Sequence, residues 1–207
     1  MSITNIFSLL GGLALFLFGM NIMASGFKHM AGSKLQQVLE KLTSTPLVGL
    51  VVGTLVTAII QSSSATTSML VGFVNAGVMS VSQTVGVIMG ANIGTTITGQ
   101  LIALNFDLIA PLVAFIGMVF FIFMKKPKIN AIGEILMGLG FLFIGMKMMS
   151  GAMSPLRSSP FFLNLIQTMK NPLVGILVGA VFTALIQSSS ASVGIIQTMA
   201  KSGVLGV

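Results

Sequence analysis

Residues 46–65 read PLVGLVVGTLVTAIIQSSSA, and residues 172–191 read PLVGILVGAVFTALIQSSSA. The two stretches are identical at 14 of 20 positions. The match extends outward without a gap, because an offset of 126 residues aligns 12–81 with 138–207 and gives 24 identities in 70 pairs. Self-similarity at a fixed offset indicates an internal repeat. The chain is therefore expected to fold as two related units.

The composition is typical of a membrane protein. Of 207 residues, 55% are hydrophobic and 6% are charged, whereas a soluble domain carries roughly a quarter charged residues. The formal net charge of +7 at pH 7 comes from basic residues at the ends of apolar runs. This placement indicates membrane orientation rather than nucleic-acid binding, which needs a basic patch with interleaved aromatic side chains. The chain has no cysteine, so disulfides and thiolate chemistry are excluded.

Hydropathy predicts an all-α, polytopic membrane protein, with a first repeat at 1–124 and an incomplete second repeat at 125–207. The predicted segments are a membrane helix at about 5–27, an interfacial helix at 28–45, interrupted segments at 47–79 and 173–205, membrane helices at 81–104, 108–124 and 131–150, and a loop at 151–171.

Polar residues interrupt the two segments at Gln61–Ser64 and Gln187–Ser190. Each arm has about 14 residues and reaches roughly 20 Å as a helix, which is too short for a hydrocarbon core of about 30 Å. We therefore expect a re-entrant helical hairpin with a QSSS tip in each repeat. Three predicted crossings separate the hairpins, and an odd number places them on opposite faces. The repeats are thus expected to be inverted, as in many secondary transporters.

An unwound tip frees backbone groups that hydrocarbon cannot satisfy, so the tip is expected to line a cavity. The second arm of each hairpin begins at the tip, and its N–H groups and positive dipole end suit an anion. The first arm ends there with free carbonyls, which together with Gln and Ser oxygens suit sodium. The alternative is that QSSS only caps helices or packs against them. Two identical copies at a fixed offset favour a site.

A glycine at every fourth position marks a second element, Gly86, Gly90 and Gly94. This spacing lets another backbone approach closely. Asn92, Thr95 and Thr96 add amide and hydroxyl oxygens at the same depth, and we expect a second helix break there. Plain helix packing is the alternative. For the same spacing in the hairpin arms, at Gly49/Gly53 and Gly175/Gly179, close packing is the preferred interpretation.

The acidic residues are Glu40, Asp107 and Glu134, all near predicted segment ends. Proton-coupled carriers usually hold an ionisable group within the membrane, so their placement favours sodium coupling. Glu134 is the one residue that could overturn this preference, and an interfacial role is the preferred interpretation for it. No His or Lys accompanies either QSSS, and a serine nucleophile needs an adjacent base. The sequence therefore predicts that the protein is not an enzyme. The excess of lysine on the side of the first hairpin predicts that this hairpin enters from the cytoplasm.

Paired QSSS tips in inverted repeats, with GANIGTT at 90–96, resemble the type II sodium–phosphate cotransporters and their bacterial relatives. The resemblance implies sodium-driven phosphate symport by alternating access in the plasma (inner) membrane, with sodium as coupling ion and no cofactor. The predicted phosphate ligands are Ser62, Ser63, Ser64, Ser188, Ser189, Ser190 and Asn92. The predicted sodium ligands are Gln61, Gln187, Thr66, Thr95, Thr96 and Ser192.

The sequence departs from the family pattern in one respect. The second repeat stops at Val207, the counterpart of Val81, so we expect a fragment with an incomplete site. The expected partners are phosphate, sodium and the lipid bilayer, with a homo-oligomer or a cytoplasmic regulatory domain or subunit as further candidates and no nucleic acid. Two alternatives stay open. One is a carrier of another small anion, such as sulfate or a carboxylate, and the other is a non-transporting phosphate sensor or scaffold.

Overall fold

The computed structural model of the chain describes residues 2–31, 45–104, 106, 108–155, 171–186 and 188–203. Those ranges contain eight helices and no strand, which confirms the all-α class. The helices are α1 Ile3–Ala31, α2 Pro46–Ile60, α3 Ser63–Asn75, α4 Val81–Ala103, α5 Ala110–Phe123, α6 Pro127–Met153, α7 Pro172–Ile186 and α8 Ser189–Lys201. By length and composition, α1, α4 and α6 can each cross a membrane.

The helix that opens the chain is longer than predicted. It continues to Ala31, so its last four residues replace the start of the interfacial helix expected at 28–45. The rest of that expected helix, at 32–44, lies outside the described residues. Most of the loop expected at 151–171 also lies outside them, and α6 continues into its start as far as Met153.

The helices α1 and α6 pack closely and antiparallel. A methyl group on Gly12 would lie 2.8 Å from the carbonyl oxygen of Gly145, and one on Gly19 would lie 2.6 Å from that of Gly138. Only residues without a side chain allow backbones to approach so closely. At the repeat offset of 126 residues, Gly12 corresponds to Gly138 and Gly19 corresponds to Gly145. The contact between Gly12 and Gly145 is therefore the repeat equivalent of the contact between Gly138 and Gly19. Each helix therefore offers equivalent glycines to the other, as in an isologous interface.

The helices α2 and α4 also pack through glycine, but they run parallel. Methyl groups on Gly86 and Gly90 would collide with the carbonyl oxygens of Pro46 and Leu50, and one on Gly94 would collide with that of Thr54. Contacts that advance together along both helices define a parallel pair. Since α4 begins beside the start of α2, the chain runs out along α2 and returns over residues 61–80, which include α3.

Apolar side chains occupy both the inside and the outside of the bundle. One buried cluster joins α1 and α6 to α4, α5 and α8, and includes Phe16, Leu142 and Phe143. A second cluster joins α2, α3 and α4 around Val56 and Leu70. Yet many large apolar side chains stay exposed, including Leu47 at 75% and Leu185 at 79%. Exposed apolar surface of this extent marks an interaction surface, and lipid is the fitting neighbour for these helices.

The helix α7 differs from its repeat counterpart α2. None of its described residues is buried, whereas six residues of α2 are buried, Gly49 and Gly53 among them. No described atom lies within 4 Å of a methyl group placed on Gly179, the counterpart of Gly53. The first repeat thus packs its glycine stripe against α4, whereas Gly179 in the second repeat has no such neighbour among the described residues.

The helix break that we expected around Asn92 is wrong. The helix α4 runs without interruption from Val81 to Ala103. The hydroxyl groups of Thr95 and Thr96 donate to the carbonyl oxygens of Ala91 and Ile93, at 2.9 and 2.6 Å. Hydroxyls that bond back to their own helix need no unwound backbone. The glycine stripe therefore serves close packing against α2, the alternative that the sequence left open.

Candidate functional site

The helical path first breaks at Gln61 and Ser62. Gln61 ends α2 in the left-handed conformation, with φ of 58°, and its backbone N–H donates to the carbonyl of Thr57. Among the described residues it is the only one other than glycine with a positive φ, a conformation that is uncommon for residues with a side chain. Ser62 then caps α3, and its hydroxyl accepts a hydrogen bond from the N–H of Ala65 at 3.2 Å. The predicted interruption at Gln61–Ser64 lies at this point.

The second break repeats the geometry of the first. Ser188 has φ and ψ of −145° and 109°, against −150° and 103° for Ser62. The hydroxyl of Ser188 accepts a hydrogen bond from the N–H of Ala191 at 3.2 Å and caps α8. Gln187, a predicted sodium ligand, lies outside the described residues.

A pair of hydroxyl groups connects the two arms at each break. In the first repeat the hydroxyls of Thr57 and Thr66 are 2.9 Å apart and both residues are fully buried. In the second repeat Thr183 donates to the hydroxyl of Ser192 at 3.1 Å. Thr66 and Ser192, both predicted sodium ligands, also donate to the carbonyl oxygens of the capping serines, at 3.2 and 3.0 Å. Each hydroxyl oxygen keeps acceptor capacity for a cation.

Both breaks line one cavity of about 210 Å³. Gln61 and Ser62 come from the first repeat, and Ser188 and Ser190 come from the second. The wall opposite is built by one face of α1 together with Thr98 of α4. The described residues that line it are Met20, Asn21, Met23, Ala24, Lys28, Gln61, Ser62, Thr98, Ser188 and Ser190. Residues 126 positions apart in sequence are thereby brought together in space.

The side chain of Gln61 is held at both ends. Its amide N–H donates to the carbonyl of Ala58, and its oxygen accepts a hydrogen bond from the hydroxyl of Thr98, each at 2.5 Å. Thr98 is 3% exposed. The amide group is therefore fixed at the mouth of the break, and its oxygen faces α4.

A larger cavity of about 560 Å³ lies between α4 and α8. It brings the predicted ligands Asn92, Thr95 and Thr96 beside Ser189 and Ser190. Ser190 lines both cavities, so the two spaces meet at the second break. The polar side chains of the GANIGTT segment therefore share a cavity with the second QSSS, while Gly94 packs against the helix that leads to the first.

Two predicted phosphate ligands stand apart from these spaces. Ser63 and Ser64 are not among the described residues that line either cavity. The hydroxyl of Ser64 lies 3.2 Å from that of Ser62, and the carbonyl of Ser63 accepts a hydrogen bond from Thr67. Both serines thus support the first turn of α3.

The family model for the Na+/Pi-cotransporter matches residues 15–151 and 145–207. The chain belongs to this family. The family is one of transporters, so the prediction that the protein is not an enzyme is confirmed, as is the resemblance to sodium–phosphate cotransporters. The chain is a membrane protein, as its membership of this transporter family and its three helices of membrane-spanning length indicate.

Similar proteins come from bacteria and mammals. The chain is 33% identical over 195 residues to "Uncharacterized protein YqeW" of Bacillus subtilis, covering 93% of this chain and 62% of the relative. It is 27% identical over 202 residues to "Putative inorganic phosphate export protein YjbB" of Escherichia coli K12, covering 95% and 36%. It is 42% identical over 99 residues to "Sodium-dependent phosphate transport protein 2A" of the rat, covering 46% and 15%. No solved structure matches the chain significantly.

Sequence reasoning missed several residues that line the cavities of this Na+/Pi-cotransporter chain. Asn21 and Lys28 lie two turns apart on one face of α1, and Thr98, Gln100 and Gln197 lie on α4 and α8. A signal was available for α4. Its lining residues are Asn92, Thr95, Thr96, Gly99, Gln100 and Ala103, a spacing that follows one helical face. Gln197 also donates to the carbonyl of Gly99 at 3.1 Å, so it links α8 to α4.

Proposed function

We propose that the chain carries inorganic phosphate across a membrane by sodium-coupled symport. The observation that supports this most directly is the cavity that Gln61 and Ser62 share with Ser188 and Ser190. Ser62 and Ser188 are N-caps, so the N-termini of α3 and α8 lie at the same cavity. A helix N-terminus favours negative charge. Two of them beside several hydroxyl groups suit a small tetrahedral oxyanion.

Transport by alternating access needs two related structural units around a central site, so that the site can open first to one side of the membrane and then to the other. The reciprocal contacts of Gly12 with Gly145 and of Gly19 with Gly138 support an approximate two-fold axis between the repeats. The antiparallel packing of these equivalent helices supports an axis in the membrane plane and therefore inverted repeats. The return of the chain over residues 61–80 supports a re-entrant hairpin in the first repeat. Its symmetry mate is α7 with α8.

The proposed ligands keep their assignment from the sequence. For phosphate the proposed ligands are Ser62, Ser188 and Ser190 in the shared cavity and Ser189 and Asn92 in the adjoining one, with Ser63 and Ser64 beside them on the first turn of α3. Sodium is bound by Gln61, Gln187, Thr66, Thr95, Thr96 and Ser192. The buried hydroxyls of Thr66 and Ser192 support the second group, since hard cations prefer oxygen ligands.

The chain spans 62% of YqeW and 36% of YjbB, and the activity of the whole protein is part of this proposal. The rat relative is named for sodium-dependent transport and YjbB for export.

We assign symport in the plasma (inner) membrane, with the first hairpin on the cytoplasmic side. A homo-oligomer or a regulatory domain or subunit belongs to the same proposal.

Uptake of radiolabelled phosphate by proteoliposomes tests the function. An inward sodium gradient is expected to drive accumulation, and replacement of sodium by choline is expected to abolish it. The double variant Ser62→Ala/Ser188→Ala, checked for monodispersity, is the matched control for background flux. Uptake that is equal in sodium and choline contradicts sodium coupling, and wild-type uptake at the level of empty liposomes contradicts transport.

Competition separates the alternatives. For a phosphate carrier we expect arsenate to inhibit uptake and sulfate or a small carboxylate to leave it unchanged. Inhibition by sulfate alone would assign another anion. A sensor would bind phosphate at equilibrium without moving it, so binding measured without flux would favour the sensor.

A further inference from the structure

The cavity shared by the two breaks contains one charged side chain among its described lining residues, Lys28. The other polar groups there are the neutral hydroxyls and amides of Asn21, Gln61, Ser62, Thr98, Ser188 and Ser190. No carboxylate of the described part of the chain forms an ion pair with Lys28. We infer that Lys28 is the positive group that binds phosphate in this cavity, an inference that rests on the proposed function.

The local packing explains why the lysine is presented there. A methyl group on Gly26 would lie 2.6 Å from the carbonyl oxygen of Ala131, so α1 and α6 touch at this level. One turn later Nδ1 of His29 lies 2.8 Å from Oε2 of Glu134 on α6. His29 and Gly26 thus lie on the side of α1 that faces α6. Successive helical residues point about 100° apart, so Lys28 points away from that contact, toward the breaks.

The charge decides which ion the cavity takes. An ammonium group repels sodium and attracts phosphate, and lysine binds phosphate as a point charge. The N-termini of α3 and α8 act in the same direction. The inference thus separates the two kinds of site. Phosphate lies between the breaks beside Lys28, and sodium lies near the hydroxyls of Thr66 and Ser192, with Gln61 at the boundary between the two because it also lines the Lys28 cavity.

The first test is Lys28→Gln, with Lys125→Gln as the control. Lys125 lies between α5 and α6 and is exposed like Lys28, but it lines neither cavity. Lys28→Gln is expected to raise the phosphate concentration for half-maximal uptake roughly tenfold or more, because a hydrogen bond to a charged group is lost. The sodium concentration for half-maximal uptake is expected to stay within about twofold, a split that a general folding defect would not produce. Equal phosphate affinity in the two variants overturns the inference.

The second test uses the absence of cysteine from the sequence. Lys28→Cys creates a single thiol, and 2-aminoethyl methanethiosulfonate converts it to a disulfide-linked ammonium group close to the length of lysine. We expect this modification to restore phosphate affinity, and the 2-sulfonatoethyl reagent to fail. Inorganic phosphate is expected to slow modification of the thiol in the Lys28→Cys variant but not of the thiol in the Lys125→Cys variant.

The outcomes distinguish the two claims. If wild-type protein shows no sodium-stimulated flux while phosphate still protects the thiol at position 28, the proposed function fails and the phosphate site stands. If wild-type transport is normal and phosphate gives no protection at position 28, the lysine is not at the site and only the inference fails.

Discussion

The hydroxyl of Thr98 on α4 donates a hydrogen bond to the side-chain oxygen of Gln61, the residue that ends α2 in a left-handed conformation. The two residues are 37 positions apart. The first break is therefore stabilised by a hydrogen bond from α4, the helix that packs against α2, and not only by residues of its own hairpin. The position of Gln61 at the cavity depends on α4 as well as on the QSSS sequence.

Replacing Thr98 by valine keeps the shape of the side chain and removes this donor. We expect Thr98→Val to destabilise the protein by about 0.5–1.5 kcal/mol, because the half-buried side-chain oxygen of Gln61 loses a hydrogen bond. The sodium requirement for uptake is expected to rise, since Gln61 is a proposed sodium ligand. Thr84→Val is the control, because Thr84 is also buried on α4 but bonds to its own helix. Thermal unfolding in detergent and sodium titration of uptake measure both effects. Equal unfolding temperatures and equal sodium requirements in the two variants would contradict a stabilising role for the bond between Thr98 and Gln61.

Equivalent glycines in the two repeats are expected to respond differently to a methyl group. Gly53→Ala forces a methyl group into the carbonyl of Val87, whereas Gly179→Ala meets no described atom within 4 Å. Overpacking of this kind costs about 1–3 kcal/mol. We therefore expect a lower unfolding temperature for Gly53→Ala and no loss for Gly179→Ala. Equal losses in both variants would mean that the stripe on α7 is also covered in the folded protein.

Removal of the capping serines is expected to affect binding as well as stability. Ser62→Ala and Ser188→Ala each lose an N-cap, which costs about 1 kcal/mol. Thr45→Ala is the matched control, because Thr45 caps α2 by accepting from the N–H of Val48 at 3.3 Å, away from the cavity. We expect all three variants to lose similar stability, and only the two serine variants to bind phosphate more weakly in an equilibrium binding assay. Weaker binding by Thr45→Ala would show that cap loss alone accounts for the effect.

The hydroxyls that connect the arms are expected to control sodium affinity. Ser192→Ala removes the acceptor of Thr183 and a proposed sodium ligand, so the sodium concentration for half-maximal uptake is expected to rise severalfold. Thr198→Val is the control, because its buried hydroxyl bonds only within α8 among the described contacts. An unchanged sodium titration for Ser192→Ala would remove this residue from the sodium site.

Part of the fold follows directly from local sequence. Helix α4 lies where the hydropathy placed it, whereas α6 runs past both ends of the predicted 131–150, and α5, with 14 residues, is not among the described helices long enough to cross a membrane. The interruption at Gln61–Ser64 is visible because the apolar run stops at four polar residues. The glycine spacing also predicted close packing on α4. The helix break predicted around Asn92 was wrong because the polar side chains of a glycine-rich segment can satisfy their hydrogen bonds in two ways. Unwinding exposes their backbone, but hydroxyls such as that of Thr95 can bond back to the helix instead.

The candidate site was harder to predict, because it depends on contacts between distant segments. Nothing local to Lys28 distinguishes it from the other lysines that flank apolar runs. Its place at the cavity depends on which side of α1 faces α6, and that side is marked by the close packing at Gly26 and by the contact of His29 with Glu134. The same holds for Thr98, whose partner Gln61 belongs to another helix. The repeat identified both QSSS segments, but only their packing brings Ser62 and Ser188 to one cavity.

The glycine contacts between α1 and α6 limit how the protein can move. Because backbone meets backbone at Gly12 and Gly145 and again at Gly19 and Gly138, a sliding step by one residue would drive a neighbouring side chain into a peptide group. We therefore expect these two helices to move together as a rigid strut. Any rearrangement that opens the cavity first to one side and then to the other has its hinges outside this strut, in the shorter helices that meet it.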